Sequence, residues 1–182
     1  SRQPSGVIGV DVVEEMLNAA QQNFIQAEAE NDWFKSDFVS LKKGDALAIP
    51  VEDNSIDVAA QNCLFNIFKA DDLKKAISEM YRVLKPHGRL VMSDPTCEQD
   101  MNETLREDNR LRALCLSGSL PIKTYVKMLT EAGFGTIEIR ARKPYRILDT
   151  KHYPTEERIY IESIEVAAIK DPMPSDGPCV FT

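Results

Sequence analysis

Histidine is nearly missing from this 182-residue chain: only His87, in "KPHG", and His152, in "TKHYP", occur, both in turn-forming sequence. Chemistry that rests on an imidazole base or a His-rich metal centre therefore has little to work with. Bases are outnumbered by acids, 22 to 29, for a formal charge of −7. That argues against a nucleic-acid surface, which needs clustered Lys and Arg. No run of 18 apolar residues exists, so no transmembrane helix and no membrane partner are expected, and no signal-peptide pattern is visible. The four cysteines, Cys63, Cys97, Cys115 and Cys179, form no C-x-x-C pair. This removes the usual zinc and dithiol-redox motifs. Without secretory features the expectation is a cytoplasmic protein with reduced thiols.

What is present is enough apolar sequence, 43%, for one ordinary core. Short apolar runs alternate with helical patterns. "GVIGVD", "FVSLKKGDA", "SIDVAAQN" and "RLVMSD" read as buried parallel strands. A helix follows the first, with Val13, Met16, Leu17, Ala20 and Phe24 on one face. Another begins at Asp71 with a stripe at Leu73, Ala76, Ile77, Met80 and Leu84, stopped by Pro86 and Gly88. Two more span roughly 103–116 and 122–132, the latter with Gly133 as its stop. "GTIEIRARKPY" and "IYIESIEVAAIK" are close enough in sequence to pair antiparallel. The pattern predicts an α/β fold, a doubly wound and mostly parallel sheet with a late antiparallel strand. The sheet lacks its first strand, so the chain reads as a fragment trimmed at both ends. Residues 1–170 form the domain, and 171–182 a linker and the start of a cut-off segment.

An acid closing an early strand, here Asp11, is a ribose-hydroxyl ligand in many nucleotide folds. It is equally an ordinary helix cap. With "GDALAIP", "NSIDVAAQN" and "RVLKPHGRL" following in order, the chain resembles the class I S-adenosyl-L-methionine-dependent methyltransferases from Gly6 to about Lys170. A nicotinamide Rossmann enzyme shares the acid but not the later pieces. The resemblance implies that Asp11 holds the ribose hydroxyls and that Asp45 and the Ala46 amide hold the adenine edge. Met16 and Leu47 are placed to flank the ring, though core packing is the better explanation for both. Gln61 and Asn62 border the methionyl end. The glycine-rich loop of such enzymes is not in the sequence.

The acceptor is the second question. Residues 62–65 read Asn-Cys-Leu-Phe, not the D/N-P-P-Y of base-amino methyltransferases. Hydroxyl methylation usually needs a base or a metal, for which no tight cluster exists. Thiols remain. Cys63 follows a strand end, where open α/β sheets bind ligands, and Cys115 sits in "LRALCLSGSL". A free cysteine is most often an inert buried residue. Yet "QNCLFNIF" followed by "CLSGSL", with "MSDP" and the tail from "PYRILDTKHYP" onward, resembles the arsenite methyltransferases. The likeness is greatest to their bacterial arsenosugar-synthesis branch. It implies that Cys63 and Cys115 hold arsenic; Cys179 is a candidate further ligand, though "DGPCVFT" reads equally as a turn with a buried thiol, and Cys97 is incidental. The implied partners are arsenite or its thiol adduct and a thiol reductant such as glutathione or thioredoxin. Soft trivalent arsenic suits thiolates. Its lone pair can attack a sulfonium methyl without a base, which fits the scarcity of histidine. The alternatives are a methyltransferase of a small organic molecule such as a quinol or sterol, and a non-enzymatic metalloid-binding protein.

Overall fold

The computed structural model describes residues 6–182; the domain start read at residue 1 lies outside them. Two compact units are present, one ending at Val51 and one running from Glu52 to Thr182. In the first, β1 (Val7–Asp11) leads into α1 (Glu14–Glu30), and β2 (Val39–Lys43) returns parallel to β1, with Asp11 opposite Lys43. Glu14 and Glu15 face the positive end of α1. Gly9 lets the strands approach: a Cβ there would stand 2.8 Å from the Leu41 side chain. Of the apolar face read along α1, only Leu17 is buried.

The second unit holds a five-stranded sheet in the order β3-β4-β6-β5-β7. The strands are β3 (Ile56–Asn62), β4 (Leu84–Cys97), β5 (Thr136–Leu148), β6 (Ile159–Ile169) and β7 (Cys179–Phe181). β3 pairs parallel with β4, and β7 with β5, while β6 is antiparallel to both its neighbours. β6 alone therefore runs against the others, the late antiparallel strand expected from the sequence. Helix α2 (Ala70–Val83) buries Leu73, Ala76, Ile77, Met80 and Val83 and packs on β4 and on α5 (Ile122–Glu131). Tyr81 and Phe134 meet edge to face beside that contact.

Helix α5 ends as read, in a Schellman motif. Gly133 takes φ +108°, its N–H bonds to the Thr130 carbonyl, and the Phe134 N–H bonds to that of Leu129. Helix α2 does not end as read. It stops at Val83, and "KPHG" is already extended chain inside β4. Its free carbonyls are met from a distance: Lys170 Nζ donates to Tyr81 O and Leu84 O, each at 2.8 Å, where a cation also suits the helix dipole. The helix read over 103–116 is two short ones, α3 (Glu103–Arg106) and α4 (Asn109–Ala113). The break lies at Asp108, whose carboxylate accepts the Arg110 and Leu111 amides at 2.8 and 3.1 Å and so starts a new helix.

Candidate functional site

Cys63 is the first residue past β3, its N–H bonded to Ser93 O at 2.9 Å, and a short turn, Phe65–Ile67, follows it. Cys115 follows α4. Separated by 52 positions, the two meet: the Cys115 thiol donates to the Cys63 carbonyl at 3.3 Å. Burial first, and then the neighbouring Cys63, push the Cys115 thiol up to about 11.

Both cysteines have φ +57°, a left-handed backbone that side chains seldom adopt. For Cys115 the cause is specific. Its N–H bonds to Arg112 O and the Leu116 N–H to Leu111 O, the same closing pattern that α5 completes with Gly133. Cysteine thus occupies a glycine position, at a cost of about 1 kcal/mol. Such strain persists where the surroundings hold it and concentrates at functional sites.

The surroundings are a buried polar network. Asn66 is fully buried; its Nδ2 donates to Pro95 O at 2.9 Å and to Cys115 O at 3.2 Å, and its Oδ1 accepts the Tyr125 hydroxyl. Gly118 in the Cys115 loop lies against Asn66 so tightly that a Cβ would sit 1.9 Å from the Asn66 carbonyl oxygen. Arg112 Nη1 reaches Phe68 O at 3.3 Å, tying α4 to the turn from outside. Gln61 is turned inward, its Nε2 donating to Asp94 Oδ2 and its Oε1 accepting the Leu64 N–H at 2.9 Å. Neither Asn66, Tyr125 nor Asp94 stood out in the sequence; the second Asn of "NCLFN", spaced to close a turn on Cys63, was the available signal.

Asp94 is fully buried and its Oδ1 has no hydrogen-bond partner. Burial raises it to about 7, against the Gln61 amide and the Asn66 and Phe65 N–H groups, which favour the charge. The unfolded carboxyl gives up its proton near its ordinary 3.8, while the folded one holds it to about 7. Its contribution is therefore whole below pH 3.8 and is lost as the pH rises towards 7, by about 1.4 kcal/mol per unit. Urea midpoints measured across this range are predicted to fall more steeply for the wild type than for Asp94→Asn; parallel profiles would refute the raised carboxyl.

The remaining sequence-predicted residues fall elsewhere. Asn62, at the end of β3, opens on a cleft of about 420 Å³ that Ala60, Val91, Ser93, Arg140 and Glu165 also line. Cys97 is a core residue, its thiol donating to Ser119 O at 3.2 Å and pushed up to about 11 by burial. Cys179 must be corrected. It lies on β7, at the sheet edge opposite β3, level with Thr136 and hence with Arg89 rather than with the Ser93 end of β4. It does not join the pair. Among the described residues no three His, Cys, Asp or Glu gather to hold a metal ion, and no helix is long and apolar enough to cross a membrane.

In the first unit, Asp11 and Asp45 lie at the carboxyl ends of paired parallel strands, stitched by the Gly44 N–H to Asp11 O at 3.0 Å. Each Oδ1 accepts one local amide, Val13 for Asp11 and Leu47 for Asp45, both at 2.8 Å. A carboxylate has about four acceptor positions, so both retain capacity for a ligand. Met16 is 57% exposed and Ala46 half-buried.

A family model described as a methyltransferase domain matches residues 1–133. The chain belongs to the methyltransferase domain family. S-adenosyl-L-methionine is the methyl donor of this fold. The domain is 33% identical over 137 residues to an arsenite methyltransferase of Halobacterium salinarum, covering 75% of this chain and 33% of that protein. It is 38% identical over 88 residues to a demethylmenaquinone methyltransferase of Lactiplantibacillus plantarum, covering 48% of this chain and 34% of that one. The chain thus spans about a third of these curated relatives. Its fold matches an arsenic(III) S-adenosylmethionine methyltransferase from Chlamydomonas reinhardtii with a TM-score of 0.76 at 22% identity, over 93% of this chain and 56% of that one.

Proposed function

We propose that this methyltransferase domain transfers a methyl group from S-adenosyl-L-methionine to trivalent arsenic held by Cys63 and Cys115. The observation that carries the reading is the approach of the Cys115 thiol to Cys63 past a strand end, each residue on a strained backbone. Similarity to an arsenite methyltransferase supports it. The cofactor supplies an electrophilic methyl group. The residues hold the acceptor: each thiol displaces an arsenite hydroxyl, which leaves with the thiol proton as water, and arsenic keeps the lone pair that forms the new bond to carbon, becoming pentavalent until two electrons from the thiol reductant return it to the trivalent state. No residue need remove a proton from arsenic, so a site without histidine suffices. Orientation of the lone pair is then the main contribution of the protein. The third arsenic position belongs to an external thiol such as glutathione, with a thiol reductant, glutathione or thioredoxin, restoring the site. Incubating the natural full-length protein with arsenite, a thiol and labelled methyl donor is expected to yield methylated arsenic.

Among the cofactor residues, Asp11 takes the ribose hydroxyls and Asp45, with the Ala46 amide and the exposed Met16, the adenine. Asp11→Ala is predicted to weaken S-adenosyl-L-methionine by about 1.5–3 kcal/mol, the worth of hydrogen bonds to a charged group. Calorimetry giving equal affinity for both proteins would remove Asp11 from the ribose.

The second reading, methylation of a quinol-like organic acceptor, is favoured by the demethylmenaquinone methyltransferase similarity. It makes both cysteines spectators and predicts methylation of the quinol but not of arsenite.

A further inference from the structure

We infer that Asn66 is the positioning residue that holds the Cys115 thiol against Cys63, where the Cys115 thiol meets the Cys63 carbonyl at 3.3 Å, so that the two cysteines can take one arsenic. The inference rests on the reading that Cys63 and Cys115 take arsenic, and assigns a residue that touches neither arsenic nor methyl donor. The geometry is that of a joint. Three chain segments must hold station for the thiols to meet: the turn after β3 that begins at Cys63, the end of β4, and the loop after α4 that begins at Cys115. Asn66 belongs to the first, and its one side-chain amide donates to the other two, at Pro95 O and Cys115 O. Its carbonyl end is occupied by the hydroxyl of Tyr125 on α5, itself buried. Both sides of the amide are thus committed, which fixes the ring of contacts in one orientation. Burial from water makes each bond costly to lose.

The pull on Cys115 O acts at the strained residue itself. Cys115 occupies a glycine-type helix stop, and its carbonyl direction depends on that left-handed backbone. A bond from Asn66 to this carbonyl holds the loop in the register that presents the thiol to Cys63. A single thiol needs no such help. A dithiol capturing one arsenic does, because two arsenic–sulfur bonds must form on one atom.

Asn66→Asp separates these demands. Aspartate is nearly the same shape and can still accept from Tyr125; once ionised, well above the pH of about 7 to which buried Asp94 keeps its proton, it has no hydrogen to give to Pro95 O or Cys115 O, so capture is compared in that alkaline range. The probe is phenylarsine oxide. In its capture two S–H bonds break, two As–S bonds form, and the oxygen leaves as water. Iodoacetamide, which alkylates one thiol at a time, is the control. In the folded chain Asn66→Asp is expected to weaken phenylarsine oxide binding by roughly tenfold to a hundredfold, the effect of one or two lost buried hydrogen bonds. The iodoacetamide rates at Cys63 and Cys115, extrapolated to full thiolate at high pH so that the added carboxylate's effect on thiol ionisation drops out, stay within about twofold.

Unchanged arsenical affinity in folded Asn66→Asp overturns the positioning role while leaving the arsenic reading in place. If wild-type affinity is indifferent to Cys63→Ser and Cys115→Ser, the arsenic reading falls, and this inference with it. Should Asn66→Asp fail to fold, Tyr125→Phe decides. It removes only the donor to Asn66 Oδ1 and is expected to weaken capture several-fold; a value equal to wild type overturns the proposal.

Discussion

Cys63→Ser and Cys115→Ser are each expected to abolish arsenite methylation, to below about 1% of wild type, while S-adenosyl-L-methionine still binds. A serine hydroxyl keeps its proton near neutral pH and is a harder, weaker ligand for trivalent arsenic than a thiolate. One thiol alone leaves arsenic free to rotate about a single bond and to exchange with external thiols, so the lone pair loses its fixed direction. The position of Cys115 adds a sharper test. It stands where α5 has Gly133, at the left-handed stop of a helix. Cys115→Gly is therefore expected to stabilise the fold by about 1 kcal/mol while removing activity, the opposite signs of a residue kept for chemistry rather than packing. Denaturant melts and methylation rates on the same samples measure both. If either serine variant methylates arsenite near the normal rate, the thiols are spectators and the quinol reading takes over.

Much of this was legible because the signals are local. Apolar runs closed by acids marked β1 and β4, and the run in "SIDVAAQN" marked β3. The stripe on α2 and the glycine after α5 follow directly from helix geometry. Cys63 could be set at a strand end because β3 reads clearly. What escaped is held by contacts across the chain. The capping of α2 by Lys170 crosses 86 positions, so the sequence around Pro86 pointed to the wrong stop. The break at Asp108 lay within the reach of sequence reasoning, since an Asp before a new apolar repeat is a cap signal; continuous periodicity masked it. Gln61 was read as a cofactor neighbour from the resemblance, and it does line the cleft at Asn62; its amide bond to Asp94, 33 positions on, could not be read. Cys179 had the right chemistry, and only sheet order and register set it apart from the pair. The left-handed φ of both cysteines could not be read at all, because that conformation ordinarily announces itself through glycine or asparagine.

Gly118 is the position at which the smallest change should have a large effect on both stability and capture. In Gly118→Ala the new methyl would fall 1.9 Å from the Asn66 carbonyl oxygen and 2.8 Å from its Cα, where real contacts lie beyond 3.0 Å. The obstacle is backbone, so no side chain can rotate away. The loop after α4 or the turn after β3 must retreat by about 1 Å. Leu116, fully buried among Met101, Leu105 and Leu111, anchors the loop on one side, and Asn66 is bound to Pro95 O on the other. Neither yields freely in a close-packed interior. The expected loss is about 3 kcal/mol, at the upper end of overpacking effects. The retreat also lengthens the Asn66 bond to Cys115 O, so the folded fraction should capture phenylarsine oxide less tightly. Gly6→Ala is the control, because a Cβ there meets only ordinary contact, 3.6 Å from Phe38 O. Urea midpoints of the two variants give the comparison. If Gly118→Ala melts with the wild type, the close approach of the two cysteine loops is not a feature of the folded protein.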